Sequence, residues 1–413
     1  MISDFHIDLN ETTPNDWGST DRMIKVIGVG GGGCNAVSYM FRSGIVGCSF
    51  VVCNTDSQAL EESPVPVKIQ MGAGLGAGTN PIKGRNAALD SQAEIEKKVL
   101  DTYTKMLFIT AGMGGGTGTG AAPVIAKMAK EKGILTVAVV TLPFENEGDR
   151  AMTRAIDGVQ ELEKNVDSLL IINNEKLYKH YGAPLTHEAF PKSDEVLATA
   201  VKGIVEIVKK RGYINVDFED VSAMMKDSGM ALMGYGEGSG KDRIQKAVKE
   251  AFESPLLNDY DLTTARNVLV NVTGGKNEKG LTMDDLNEIN RLVEQYTGGA
   301  NRFKSGLIYD TDPNVGDKIH ITSIVTGLKF IDILGSHINI GNYIMITRSY
   351  TADLSNPDCT FPDPDDAAGT VIGYNSSDNR PMFHFEPEDK PALLVPMDGQ
   401  IADLENIPAI RRQ

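Results

Sequence analysis

The 413-residue chain has four cysteines, Cys34, Cys48, Cys53 and Cys359, none at the spacing of a disulfide framework or a metal site. That sparseness excludes a cysteine-stapled scaffold and fits a reducing compartment. Cations are also in deficit: 40 Lys and Arg against 56 Asp and Glu leave a net charge of −16. Such a balance argues against nucleic-acid or anionic-membrane binding driven by charge. No apolar run has the length of a membrane span, and the longest, near Ile134–Leu142, suits a core strand. The opening residues are acidic and polar (Asp4, Asp8, Glu11, Asp16), unlike the basic-then-apolar start of a secretory signal, so a cytoplasmic location is expected. The six histidines form no triad or metal set, and His180 and His187 read as loop or surface positions. Internal repeats are lacking too.

Glycine, by contrast, is abundant and clustered. Residues Gly114-Gly-Gly-Thr-Gly-Thr-Gly120 lie between an apolar run and a helix-like stretch. Removing β-carbons lets a backbone wrap closely round a ligand. A strand, such a loop and a helix N-terminus together present N–H groups and a positive dipole end to an anion. A flexible linker is the rival reading, but linkers do not usually separate a buried strand from an amphipathic helix.

Short apolar runs alternate with helix-like runs from Met23 to about Arg211. Strands are expected at Met23–Val29, Ser49–Cys53, Val65–Ile69, Met106–Thr110, Ile134–Leu142 and Val166–Ile172. Helices are expected at Asn35–Arg42, Lys83–Leu100, Ala121–Glu131, Glu147–Lys164 and His187–Lys210. The alternation implies a parallel sheet covered on both faces. The last helix is long, with Ala198, Val201, Ile204, Val205 and Val208 at core-facing spacing, and stops at Gly212. A second α/β unit follows, with strands at Arg266–Thr273, Gly306–Tyr309 and Ile319–Thr326 and helices at Asp242–Phe252 and Met283–Gln295. Beyond Thr351 the composition turns to Asp, Pro, Ser, Asn and Gly, as in a disordered linker.

Gly28, Gly30 and Gly33 in Gly28-Val-Gly-Gly-Gly-Gly-Cys-Asn35 satisfy the dinucleotide fingerprint, and Asp56 follows the next strand where a ribose-binding acid belongs. Alone, this motif implies a nicotinamide-dependent dehydrogenase. A second phosphate loop on another strand shifts the reading to one triphosphate clamped between two loops. The stretch Tyr235-Gly-Glu-Gly-Ser-Gly-Lys-Asp242 fails as a P-loop, because Tyr235 replaces the first glycine and Asp242 the magnesium-binding hydroxyl; it reads as a turn before a helix. A third glycine-rich stretch, Gly72–Pro81, is either another phosphate-contacting loop or a tight connection.

Three acidic segments carry two readings each. Glu147, entering a helix, suits ribose hydroxyls or the helix N-terminus. Phe190 and Asp194, four apart on one helix face, suit guanine (a stacking plane beside an acceptor for N1–H and N2–H) or a half-buried Phe and a solvated first-turn Asp. In Asn215-Val-Asp-Phe-Glu-Asp220, Asp217 and Asp220 suit polarisation of a water or helix capping.

Taken together, GGGTGTG, Ile24-Lys-Val-Ile-Gly-Val-Gly-Gly-Gly-Gly, Asn54-Thr-Asp56, Gly74-Leu-Gly-Ala-Gly-Thr-Asn-Pro81, Asn215-Val-Asp-Phe and Ser254-Pro-Leu-Leu257 resemble, in order, the FtsZ family of bacterial tubulin-like cell-division GTPases. The resemblance covers Met23 to about Leu328 and the last residues; tubulin itself is similar more distantly, with serine where this chain has Thr119. It implies an α/β, tubulin/FtsZ-like fold: a flexible extension (1–22), a Rossmann-like parallel-sheet GTP-binding domain (23–186), a long central helix (187–211), a second α/β, GTPase-activating domain (212–330), a variable, largely disordered linker (331–402) and a partner-binding tail (403–413).

It further implies that Gly31, Gly32, Gly33, Cys34, Asn35, Gly115, Gly116, Thr117, Gly118 and Thr119 hold the phosphates. Glu147 would take the ribose, and Phe190 with Asp194 the guanine. Asn215, Asp217 and Asp220 would be catalytic on the nucleotide of the next subunit in a head-to-tail filament, with Mg2+ neutralising phosphate charge and water attacking the γ-phosphate directly. Ile407-Pro-Ala-Ile-Arg-Arg412 would dock on membrane tethers such as FtsA, at a mid-cell division ring, with neither nucleic-acid binding nor membrane insertion. A nucleotide-binding scaffold without catalysis is the other alternative to the dehydrogenase. Three departures from the family pattern stand out. Ala151 replaces an arginine, leaving Arg150 and Arg154 as candidates for the phosphate side. Cys34 replaces a glycine, which sets a thiol beside the phosphates. Arg211 replaces a proline before Gly212.

Overall fold

The computed structural model describes residues 23–174, 186–210, 212–254, 257, 262–310 and 315–328, plus four short strands beyond residue 330. Each expected strand of the first half forms. The strands β1 (Ile24–Val29), β2 (Ser49–Asn54), β3 (Val67–Gln70), β4 (Met106–Gly112), β5 (Leu135–Leu142) and β6 (Ser168–Asn173) pair in parallel in the order β3-β2-β1-β4-β5-β6. All six residues of β1 and of β2 are buried, as an unbroken apolar run requires when helices cover both faces. Lys25 is the exception in kind. Its ammonium is buried within β1 and is held by the Asp101 carboxylate at 2.7 Å and the Lys98 carbonyl at 3.0 Å, since an unpaired buried charge would be costly.

The helices that follow glycine-rich stretches begin earlier than apolar periodicity places them, whereas the one expected from Glu147 begins later, at Asp149. Helix α1 spans Gly30–Arg42 rather than starting at Asn35. After α2 (Ser57–Glu62), the expected Lys83–Leu100 helix is two helices, α3 (Pro81–Asp90) and α4 (Gln92–Lys98), broken at Ser91. Asp90 and Ser91 are residues whose side chains compete with the helical backbone. Helix α5 spans Thr117–Glu131, so Thr117–Gly120 are helical rather than loop. Glycine disfavours a helix by about 1 kcal/mol, but neighbouring backbone leaves room for nothing larger: a β-carbon at Gly120 would strike the Pro81 carbonyl. Helix α6 runs Asp149–Asn165 and α7 runs Thr186–Lys209.

The sheet continues into the second half of the chain. Strand β7 (Gly229–Gly238) joins β6 through only three paired residues, Ser168 with Gly229 to Leu170 with Ala231. Strands β8 (Asn267–Gly275), β9 (Arg302–Asp310) and β10 (Ile319–Leu328) complete ten strands in the order β6-β7-β10-β8-β9, with β9 at the edge. Helices α8 (Phe218–Met225), α9 (Arg243–Phe252) and α10 (Met283–Thr297) accompany them. Tyr235–Gly238, read from sequence as a turn, is the end of β7. Gly234, Gly236 and Gly238 alternate onto the face covered by α9, and a β-carbon at each would meet an α9 carbonyl, that of Ala251, Ala247 or Arg243 respectively. These glycines let a helix lie directly on a strand.

Residues 330–413 form a separate compact unit. Its described residues make two antiparallel pairs, Ile346–Thr347 with Ala392–Leu393 and Thr370–Tyr374 with Pro381–His384. The rest of the expected linker, the 403–413 tail, the 1–22 extension, His180, Arg211 and Cys359 lie outside the described residues.

Candidate functional site

The strand order reverses between β1 and β4, because the chain leaves β1 toward β2 and β3 but leaves β4 toward β5 and β6. At such a switch point the loops part, and the crevice beyond the strands' carboxyl ends receives ligands. Both glycine motifs open onto this crevice, with Val29 paired to Ala111 just beneath them. Gly30 has φ 72° and a β-carbon there would lie 2.8 Å from the Gly118 nitrogen, so the N-termini of α1 and α5 touch. Neither helix has a side-chain cap. Their first N–H groups therefore point, with the dipoles' positive ends, into one crevice. A Gly30→Ala substitution is expected to lower the melting temperature, costing about 1–2 kcal/mol from the left-handed backbone alone, and thermal unfolding checks it.

The third glycine-rich stretch belongs here too. A β-carbon at Gly116 would strike the Gly78 carbonyl and lie 2.9 Å from the Asn80 nitrogen. The Thr55 hydroxyl, at the end of β2, bonds the Thr117 hydroxyl at 2.7 Å. Segments following β1, β2, β3 and β4 thus converge. Thr55 and Asn80 were given no role in the sequence reading, although both fall within motifs quoted there.

Convergence sorts the motif residues. Gly33, Gly116 and Gly118 are buried against neighbouring backbone, Gly33 and Gly118 on β4 and Gly116 on the Gly78 loop, while Gly31, Gly32, Asn35 and Gly115 are exposed. A β-carbon at Gly31 or Gly115 would meet nothing within 4 Å. Those two positions face open space. The Thr119 hydroxyl is buried and accepts a hydrogen bond from the Gly114 nitrogen at 2.9 Å, bracing the loop from beneath.

Cys34 corrects an expectation. Its thiol is not beside the phosphates: it is 2% exposed and points into the core, toward the carbonyls of Cys53 (3.4 Å) and Gly28 (3.6 Å). Burial pushes it up to about 12, an unreactive thiol. Only its backbone remains available to a ligand.

Helix α6 flanks the same loop. Arg154 donates from Nε to the Gly114 carbonyl at 2.8 Å, whereas Arg150 is exposed and Ala151 is buried with its carbonyl against Gly114. The missing β-carbon at Gly114 is what lets the Ala151 carbonyl of α6 approach. Glu147, exposed at the end of β5, accepts from its own turn, the Phe144 nitrogen, at 2.9 Å. Asp56 caps α2 through the Gln58 nitrogen at 3.0 Å rather than facing a ribose.

Asp194 stands in α7 beside Ser193, whose hydroxyl meets the Asn174 side chain at 2.7 Å just past β6. It is therefore on the same carboxyl-end rim. Desolvation by burial raises its carboxyl to about 7. The Phe190 side chain lies outside the described residues.

Asn215, Asp217 and Asp220 are elsewhere. Helix α7 has 24 residues, about 36 Å at 1.5 Å per residue. Its far end, Lys209, lies against Gly47 just before β2 begins, at the amino ends of the strands. The segment after it pairs with the edge strand, Ile214 with Leu307. Asp217 and Asp220 form a reciprocal capping box on α8: the Asp220 nitrogen donates to Asp217 at 2.9 Å, and the Asp217 nitrogen to Asp220 at 3.2 Å. The capping reading of this pair is what the structure shows, and the cap leaves Asp217 exposed.

Residues 23–182 match the tubulin/FtsZ family GTPase domain, and residues 229–329 match the FtsZ family C-terminal domain. The cell division protein FtsZ of Porphyromonas gingivalis is 47% identical over 324 residues, covering 78% of this chain and 70% of the relative. That of Pseudomonas putida is 47% identical over 311 residues, covering 74% of this chain and 76% of the relative. A solved structure, an empty FtsZ dimer from M. jannaschii, superimposes with a TM-score of 0.67 at 40% identity, covering 74% of this chain and 88% of that one. The dehydrogenase reading finds no support in these matches.

Proposed function

The chain belongs to the FtsZ family of tubulin-like cell-division GTPases, and from that premise we propose that it hydrolyses GTP only when assembled head to tail, at sites built by two successive subunits. The observation that carries this reading is the separation of the glycine crevice from Asn215, Asp217 and Asp220 by the length of α7. A subunit's own acids cannot reach its own nucleotide. A neighbour stacked end to end brings its acids onto the open crevice, and a contact between unlike faces propagates.

In this site the N–H groups at the starts of α1 and α5, with Gly31, Gly32, Gly33, Cys34, Asn35 and Gly115 to Thr119, cradle the phosphates. Glu147 meets the ribose, and Phe190 with Asp194 the guanine. The neighbour's Asp217, helped by Asn215 and Asp220, orients a water and accepts its proton as the oxygen bonds to the γ-phosphorus. The bond to the β-phosphate oxygen breaks, and GDP and phosphate leave with no covalent enzyme intermediate. Among the described residues no three Asp, Glu, His or Cys side chains gather to hold a metal ion; Mg2+ would arrive with the triphosphate and would offset its charge. The proposal extends to a cytoplasmic filament at the mid-cell division site, tethered through residues 403–413 to a membrane-bound partner such as FtsA.

Phosphate release per subunit, measured against protein concentration, is expected to show a threshold below which turnover is near zero. Specific activity that stays flat through dilution to the lowest measurable concentration is the outcome that rejects shared-site hydrolysis.

A further inference from the structure

The segment that carries the acids is held by a strand to which no function has been given. Strand β9 is the sheet edge, and Arg302 and Lys304, two residues apart, share one of its faces. Both reach α8. Lys304 donates from Nζ to Asp220 Oδ1 at 2.8 Å, and Arg302 donates from Nη1 to the Ala223 carbonyl at 3.0 Å. Asp220 therefore has both oxygens engaged: Oδ1 on the Lys304 ammonium and Oδ2 on the Asp217 nitrogen. The Lys304 ammonium is the first cause holding the Asp220 carboxyl below its usual range.

Charge gives this grip a purpose. Asp217, Glu219 and Asp220 put three carboxylates within four residues, on the face that the proposed function presses against a triphosphate. Such an approach is opposed by like-charge repulsion. Lys304 offsets one of those charges where it stands and leaves Asp217 as the exposed acid.

We propose that Lys304 is a positioning residue of the shared site: its ammonium fixes Asp220, and through the capping box Asp217, while relieving the repulsion between this segment and the neighbour's triphosphate. The inference rests on shared-site hydrolysis as proposed above. It makes Lys304 act through Asp220 rather than on the nucleotide.

The test uses the full chain and three readouts: phosphate release at saturating protein, binding of GTP below the assembly threshold, and the melting temperature. Lys304→Met, which keeps the alkyl stem, is expected to lower turnover per assembled subunit about ten- to a hundredfold with unassembled GTP affinity unchanged. Lys304→Arg restores most of the activity. The double variant Lys304→Met with Asp220→Asn turns over no more slowly than Asp220→Asn alone, because the two changes break one interaction. Wild-type turnover in Lys304→Met overturns the proposal, as does a full additional loss in the double variant or weakened GTP binding by unassembled protein. Should Lys304→Met melt early, the Arg rescue and the double variant still decide the question. Failure of the underlying reading has its own signature, loss of unassembled GTP binding in Asp217→Ala, which Lys304 variants do not produce.

Discussion

Asp217→Ala is expected to bind GTP as tightly as the parent protein and to release phosphate about a hundred- to ten-thousandfold more slowly, the usual range for removing a general base. Two effects must be kept apart. Asp217 also caps α8, and losing a cap costs about 1 kcal/mol, too little to unfold a domain of this size but enough to loosen the segment. Asp217→Asn separates them, since its amide oxygen still accepts the Asp220 N–H but cannot take a proton. Equal loss of turnover in the two variants assigns the effect to basicity. Activity retained in Asp217→Asn reduces Asp217 to a structural cap. Binding is measured below the assembly threshold, and a collapse of affinity there would place Asp217 in its own subunit's pocket.

GTP affinity is expected to fall about tenfold per pH unit below about pH 7 and to level off above it. The cause is Asp194, whose carboxyl burial raises from 3.8 to about 7. Guanine's N1–H and N2–H need an ionised acceptor, so below that value binding must first expel a proton. Asp194→Asn presents an NH2 group to the same donors; it should bind GTP about a hundredfold more weakly and lose the pH dependence. Linkage gives an independent check with the opposite sign. A carboxylate whose folded value is raised destabilises the unliganded protein increasingly as pH climbs from 3.8 to about 7, at about 1.4 kcal/mol per unit. Unliganded Asp194→Asn should therefore melt higher than wild type at pH 8, and the gap should close toward pH 4. Pocket affinity that is flat with pH would remove Asp194 from guanine recognition.

Much of the first half of the sheet was legible because strands buried on both faces write themselves as apolar runs, as Met106–Ile109 of β4 and Leu169–Ile172 of β6 do. Strand β7 was not legible, since Gly234, Gly236 and Gly238 erase the apolar signal on the face where α9 lies closest. The starts of α1 and α5 were hidden for the same reason: glycine lowers helix propensity while permitting the contact that makes the helix. At the site, glycine density announced a ligand, but nothing in the spacing separated Gly33, Gly116 and Gly118, which pack, from Gly31 and Gly115, which stand open. Cys34 shows the same limit, because its direction is set by where Cys53 lies, in another strand. Asp217 and Asp220 read as a pair at a helix start. Which end of the molecule they occupy depends on the path of α7, and Lys304 enters only because β9 is the strand that ends up beside them.

Helix α7 is also a measure of length and angle for anything these subunits build. With sites shared between subunits as proposed, it joins the crevice of one junction to the acids of the next, and its residue count sets the spacing of active sites along a filament. Each residue added to an α-helix advances 1.5 Å and turns 100°. Period and aim are thus inseparable: a helix one residue longer would lengthen the repeat only slightly, yet swing Asp217 more than a quarter turn from the phosphate it must face. Under shared-site hydrolysis this helix therefore tolerates only those changes of length that come back into phase.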